Sequence, residues 1–250
     1  MSDDFTQAFE RLWVALRARW CDSHDLDGAL AFTHDQVKIP FFHRIVQVNC
    51  AEVDRLIDDA LSLYREKDYD CIFTLSPLDR PTDLGQRLQQ RGFTAGALAS
   101  AMVHAPTATR AINNGAIRVE LADEGEYDVW NDVSCRSFEH PPAMGEIGRS
   151  ALLQPDVRRY LARVDSAPAG AALLCSQGGL GYIDLVGTLC EFRRQGVASA
   201  LVLQAVADSV ALGNRWTALE TITGSAPERL YQRLGFRTAY NRHRYIMDPA

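Results

Sequence analysis

Gly181–Leu203 reads GYIDLVGTLCEFRRQGVASALVL, and the reading of this stretch decides the fold. It joins an apolar strand to a helix through a short turn rich in arginine and small residues. Such a junction turns backbone N–H groups and the positive end of the helix dipole toward an anion, and a phosphate fits there. Whose phosphate it is depends on the residues outside the stretch.

The chain has 250 residues, 47% of them hydrophobic, enough for one large core or two modest ones. A net charge of −6 without a long basic stripe argues against a nucleic-acid binder, because little is available to displace phosphate counterions. The first residues, MSDDFTQAFERLW, are acidic and lack the basic start and apolar run of a secretory signal, and no later window has membrane-spanning length. The expectation is a cytoplasmic protein that acts on small molecules and has no membrane partner. Six cysteines (Cys21, Cys50, Cys71, Cys135, Cys175, Cys190) are widely spaced with no C-x-x-C pair, which predicts reduced, buried thiols and no metal site.

Outward from the opening stretch, the period of the apolar residues switches repeatedly. Phe5, Phe9, Leu12, Trp13, Leu16 and Trp20 recur at helical spacing and predict a packing helix over 3–20. CDSHDLDG (21–28) reads as a solvated loop, its His24 and aspartates matching no ligand spacing. A strand (FFHRIVQV), a helix (AEVDRLIDDALSLYREK), a strand (DCIFTLS), a helix ending at Gly92 and an apolar run (ALASAMV) follow. APTATRAINNG (105–115), poor in large apolar residues, reads as a linker. Beyond it come a strand (IRVEL), a helix through Tyr127, Trp130, Val133, Cys135 and Phe138, the loop EHPPAMG, a short helix (EIGRSALL), and strands VRRYLARV and GAALLCS. After the opening stretch come a strand (WTALETI), a loop (TGSAP), a helix (ERLYQRLGF) and a last strand near RHRYIM. Alternating strands and helices place the chain in the α/β (α+β) class.

An internal repeat divides it. Aligning Gly92-Phe93 with Gly235-Phe236 lays QRLQQRGF over RLYQRLGF and Met102 over Tyr245, and the preceding helix and strand match in kind and order. The second half carries the arginine turn and Tyr231; the first has Leu88 at the matching place and no comparable turn. The expected domains are 1–106 and 116–250, one degenerate and one working.

Two motifs carry a family resemblance. Arg193-Arg194-Gln195-Gly196-Val197-Ala198 and, a helix and a strand later, Leu230-Tyr231-Gln232-Arg233-Leu234-Gly235-Phe236 resemble, in that order, the signatures of the GNAT (GCN5-related) N-acetyltransferases. The resemblance covers Ile117–Met247 and, more weakly, Ile39–Val103, so the chain looks like a tandem GNAT protein with two GNAT-like mixed sheets flanked by helices.

The resemblance implies acetyl-CoA as co-substrate, no metal, and transfer of the acetyl group to a primary amine, expected to be a small molecule, by direct attack in a ternary complex. Arg193, Arg194, Gln195, Gly196, Val197, Ala198 and Ser199 would hold the pyrophosphate, with Gly196 and Ala198 leaving the amides uncluttered. The strand at Val186, Gly187 and Thr188 would pair with the pantetheine amides, although Thr188 and Cys190 depart from the family's Leu-x-Val-x-Pro. Cys190 reads as a packing thiol or as an acyl carrier. Tyr231 matches the family's general acid, the alternative being aromatic packing. Asp184, on the same strand face as Val186 and Thr188, and Glu220 in the neighbouring strand could relay a proton from the amine. Gly224-Ser225-Ala226-Pro227 stands where the family often has Asn. Phe138, Glu139 and His140, with Pro141-Pro142, sit where the acceptor would enter. A non-catalytic acyl-CoA-binding regulatory module remains the alternative, and a nicotinamide-binding enzyme lacks its Gly-rich fingerprint. The edges of two related halves leave intramolecular pairing and a homodimer both open.

Overall fold

The computed structural model describes residues 3–104, 116–141 and 143–248. In chain order the elements are α1 (Asp3–Arg17), β1 (Asp22–Asp25), β2 (Leu30–Thr33), β3 (Arg44–Val46), α2 (Val53–Glu66), β4 (Cys71–Leu75), α3 (Leu84–Gln90), β5 (Thr94–Ala95), β6 (Ala99–His104) and β7 (Ile117–Leu121). They continue as α4 (Tyr127–Ser137), α5 (Ala143–Ile147), α6 (Arg149–Leu152), β8 (Val157–Val164), β9 (Ala167–Gln177), β10 (Leu180–Thr188), α7 (Val197–Ala211), β11 (Trp216–Ile222), α8 (Ala226–Arg233) and β12 (Phe236–Met247). The segment expected to be a linker, 105–115, lies outside the described residues, as does Pro142 of the double proline.

The chain forms two compact units that are not made by a single cut. Met1–Ala101, Thr221–Glu228 and Thr238–Ala250 make the first, and Met102–Glu220 with Arg229–Arg237 make the second. In the first unit β1, β2 and β3 run antiparallel in turn, β3 lies parallel to β4 at Ile45↔Phe73, and the C-terminal part of β12 pairs antiparallel with β4 from His243↔Leu75 to Met247↔Cys71. The helical stripe on α2, Val53, Leu56, Ile57, Ala60 and Tyr64, is buried against Ile45, Phe73, Leu88 and Phe93. On α1 the predicted stripe is buried through Leu16, but the helix ends at Arg17, so Trp20 packs from the turn that follows. Arg242 of β12 is fully buried, 4.1 Å from the Trp13 ring and 3.2 Å from the Glu10 carboxylate, and so joins the last strand to the first helix.

Two sequence readings need correction in this unit. Asp22–Asp25, expected to be loop, is strand β1, paired Asp22↔Thr33 to Asp25↔Leu30 with His24 Nε2 2.8 Å from Thr33 Oγ1. Its propensity is poor, and the partner strand decides. The strand read over FFHRIVQV shortens to Arg44–Val46, with Phe41 and Phe42 in the preceding turn.

In the second unit β7, β8, β9 and β10 are antiparallel neighbours and β11 lies parallel to β10. Ala169 to Cys175 on β9 are buried without interruption. Successive strand residues face opposite sides, so both faces of the sheet are covered. α7 and α4 both pack on β9 and β10. α7 buries Val197, Leu201, Val202, Ala205 and Val206 with Ala172, Leu174 and Ile183, while Trp130 of α4 donates its indole N–H to the Ala172 carbonyl at 3.1 Å. Both units are thus mixed sheets flanked by helices, the expected class.

One buried histidine gives a pH test. His43 is 3% exposed, its Nε2 meets the Val37 carbonyl at 2.5 Å, and burial, with the charges of His34 and Lys67, depresses its pKa to about 4. The unfolded chain takes up this proton near pH 6.5 and the folded one does not, so stability is lost as the pH falls from about 6.5 to about 4. At pH 4.5 the loss at this site should be on the order of 2 kcal/mol. Urea midpoints at pH 7 and 4.5 should therefore converge in His43→Gln relative to the parent chain, and an equal drop in both proteins would overturn the assignment.

Candidate active site

The parallel ladder between β10 and β11 runs from Leu180↔Trp216 to Ile183↔Leu219 and has no further pair among the described residues. The next residue on each strand is acidic: Asp184 on β10 and Glu220 on β11. On its other side β10 shifts register against β9 between Asp184 and Gly187, with Leu185 in the left-handed region (φ 51°) and its N–H held by Asp184 Oδ1 at 2.9 Å. This is a bulge, and it corrects the simple alternation that would place Asp184, Val186 and Thr188 on one face.

Gly187 and Gly170 let the neighbouring helices pack closely at this strand end. A Cβ on Gly187 would stand 2.5 Å from Ser137 Cβ and 3.3 Å from the Phe138 ring, so the end of α4 rests directly on the bulge. A Cβ on Gly170 would stand 2.6 Å from Val197 Cγ1 and 2.8 Å from the Gly187 carbonyl, so the first turn of α7 presses against β9. The absence of side chains here brings helix start, bulge and strand together.

From β10 the chain makes one 3-10 turn (Cys190–Phe192), extends through Arg193, and enters α7 through Arg194 (φ 63°) and Gly196 (φ 97°). Gly196 caps the helix without a side-chain hydrogen bond. The amides of Val197, Ala198 and Ser199 are first-turn donors with no helical acceptor. Arg193, Arg194 and Gln195 are exposed beside them. Arg193 Nε reaches the Thr188 carbonyl at 3.4 Å and Gln195 donates to the Glu191 carbonyl at 3.0 Å, which braces the turn. Every residue read as an anion-binding group therefore lies on one continuous turn.

Tyr231 projects from α8 and is 7% exposed, its ring 6.1 Å from that of Phe236. Burial, and then the negative charge of Asp184, push its phenol up to about 12. Asp184 and Tyr231, remote in sequence, thus share one electrostatic environment at the end of β10. Glu220, half-buried, follows Leu219, the last residue of β11 in the ladder.

Of the residues expected at the acceptor entrance, Phe138 borders Gly187 and stacks at 6.4 Å with His140, while Glu139 is exposed in a left-handed turn (φ 59°). Cys190, expected to be buried by packing, is exposed on the 3-10 turn, because the turn carries it off the sheet; Cys71, Cys135 and Cys175 are buried, and all six cysteines are free thiols. Ser137 was not anticipated. Its Oγ and the Oγ1 of Thr188 are buried and lack a hydrogen-bond partner. The sequence signal was its position just before Phe138, but only the contact with Gly187 gives it a place. Among the described residues no group of three or more His, Cys, Asp or Glu side chains could hold a metal, and no helix is long and apolar enough to cross a membrane.

Comparison with known proteins agrees with this fold. Residues 163–246, which include β10, α7, Tyr231 and most of β12, match the family model of FR47-like proteins. No curated protein matches the chain. Among solved structures, a GCN5-related N-acetyltransferase from Kribbella flavida superposes with a TM-score of 0.74 at 19% identity, covering 96% of this chain and 95% of its own. A GCN5-related N-acetyltransferase from Sphaerobacter thermophilus gives 0.66 at 14%, covering 89% and 81%. A tandem GNAT protein from the clavulanic acid biosynthesis pathway gives 0.62 at 13%, covering 89% and 78%. The resemblance carried by the RRQGVA and LYQRLGF motifs is borne out, and the fold is that of these proteins.

Gly187→Ala puts a methyl group 2.5 Å from Ser137 Cβ and should lower the unfolding free energy by about 1–3 kcal/mol as α4 shifts. An unchanged urea midpoint would show that α4 does not close on the bulge.

Proposed function

We propose that this chain, which has the fold of the GCN5-related N-acetyltransferases, is an acyl-CoA-dependent N-acyltransferase whose second unit transfers an acetyl group from acetyl-CoA to an amine. The observation that carries the reading is the single course of β10 into α7. A bulged strand end leads through two exposed arginines into a glycine-capped helix start, with a buried tyrosine and a carboxylate at the strand end.

The donor set suits a CoA thioester. First-turn amides of α7 and the guanidinium groups of Arg193 and Arg194 supply N–H donors and positive charge for a pyrophosphate. Backbone groups at Val186–Thr188 are in reach of an extended amide-bearing arm, as strand addition requires. Acetyl-CoA supplies an activated acyl carbon and a thiolate leaving group. The protein's part is to orient, to exclude water and to handle two protons. An incoming neutral amine forms the C–N bond as the C–S bond breaks. Its surplus proton passes, directly or through water, to Asp184 or Glu220. Tyr231 gives its proton to the departing sulfur. The desolvation that raises the phenol also raises the thiol formed beside it, so donor and acceptor remain matched. Phe138, Glu139 and His140 border the side from which the amine approaches, and the acceptor is proposed to be a small molecule.

Acetyl-CoA titrated calorimetrically should bind the parent chain and bind Gly196→Glu at least about tenfold more weakly, because a carboxylate then occupies the positive end of α7. Tyr231→Phe keeps the ring on Phe236 and loses the proton; with an accepted amine, thiol release should fall about 100-fold while acetyl-CoA affinity stays within about twofold. Absence of acetyl-CoA binding would sink the reading. An unchanged rate in Tyr231→Phe would remove the tyrosine from the chemistry.

A further inference from the structure

The first unit repeats the arrangement that the second uses: a strand (β3), a helix (α2), a strand parallel to the first (β4), and a short helix (α3). The segment after β3 that corresponds to the bulged end of β10 is Val48–Cys50, between the Ile45↔Phe73 pair and the start of α2. It is not open. Asp79, 5% exposed, sends Oδ1 to the Val48 N–H and Oδ2 to the Ser76 N–H and Oγ, the last two at 2.5 and 2.8 Å. The Arg80 N–H donates to the Val48 carbonyl at 2.7 Å, the Cys50 N–H donates to the Arg80 carbonyl at 3.3 Å, and Asn49 and Arg80 form a parallel bridge. The segment after β4 has added itself to the extension of β3 as a short extra strand would.

Two clefts of about 290 Å³ each remain, and Ser76 and Asp79 line both. Each is at the small end of the range for small-molecule sites, ~300 Å³ upward. A continuous channel for a pantetheine arm would have to displace the Asp79–Arg80 segment. Charge tells against a phosphate independently of this filling. The start of α2 reads Ala51-Glu52-Val53-Asp54-Arg55, with no glycine, and its one arginine lies against Asp59 at 3.7 Å and Asp27 at 4.0 Å. Glu52 is its cap and Asp54 lies in its first turn, so carboxylates already occupy the positive end of the helix dipole. Asp54 is further tied to Arg91 at 3.0 Å, which also pairs with Asp58.

We infer that the first unit fills the counterpart of the acyl-CoA groove with its own Ser76–Arg80 segment, so that the chain takes one acyl-CoA, and takes it at α7. The inference rests on the proposed function for its ligand. It makes a separate claim, that backbone pairing a cofactor arm would make in one unit is made internally in the other.

Calorimetric titration of the full chain with acetyl-CoA, in the parent protein and in a charge-reversed variant carrying Arg193→Glu and Arg194→Glu, tests it. Both arginines are exposed, so the variant should fold, and its circular dichroism and urea midpoint check this. The expected result is one site per chain in the parent protein and at least about tenfold weaker binding in the variant. Two sites per chain, or one site whose affinity the variant leaves unchanged, would overturn the inference. No binding in either protein would overturn the proposed function while agreeing with a filled first unit. Asp79→Asn adds a further reading. It should lower the urea midpoint, because two backbone amides and a hydroxyl lose a charged acceptor, without raising the number of acetyl-CoA sites. A second site appearing in Asp79→Asn would instead show that Asp79 is only a latch over a competent groove.

Discussion

The second unit depends on where one parallel ladder ends. β10 and β11 pair as far as Ile183↔Leu219, and there β10 bulges instead of continuing. A parallel strand pair whose partners separate at their C-terminal ends leaves unpaired backbone groups where the following helix begins, the place at which open α/β sheets take ligands. Everything assigned to the site follows from that separation. Asp184 and Glu220 are the next residues on the two strands, α7 starts on the far side of the 3-10 turn, and Tyr231 returns toward Asp184 from α8.

Close packing then sets two helices against the end of β10. Gly170 under Val197 and Gly187 under Ser137 bring α7 and α4 to within methyl distance of the sheet. Gly187 carries two constraints, being in the bulge and under a helix end. The cost is two hydroxyls, those of Ser137 and Thr188, buried beside it without partners. Such groups are tolerated most readily where a ligand's polar atoms complete them.

The first unit starts from the same element order and resolves the same strand end differently. There the unpaired groups after β3 are satisfied at once by Asp79 and Arg80, and the helix start is neutralised by Glu52 and Asp54. Buried backbone N–H and C=O groups must be paired by something. In the first unit Asp79 and Arg80 pair them within the chain. The buried Arg242, with Glu10 and Trp13, ties the final strand to the first helix.

Much of this was legible in the residues alone. Helical periodicity located α1 and α2, and the Arg-Arg-Gln-Gly-Val-Ala turn and Leu-Tyr-x-x-x-Gly-Phe ending located the start of α7 and the tyrosine, because periodicity and turn chemistry are local properties. Strand β1, the bulge at Leu185, the exposure of Cys190 and the place of Ser137 were not legible, since each is set by a partner distant in sequence. The pairing of His243–Met247 with β4 in the first unit is likewise set by a partner distant in sequence. By itself the sequence determined most of the helices and which of them carries positive charge to its start. The tertiary structure alone decided that the strand end after β3 is filled by Ser76–Arg80, because that depends on which backbone groups find partners, and those partners come from elsewhere in the chain.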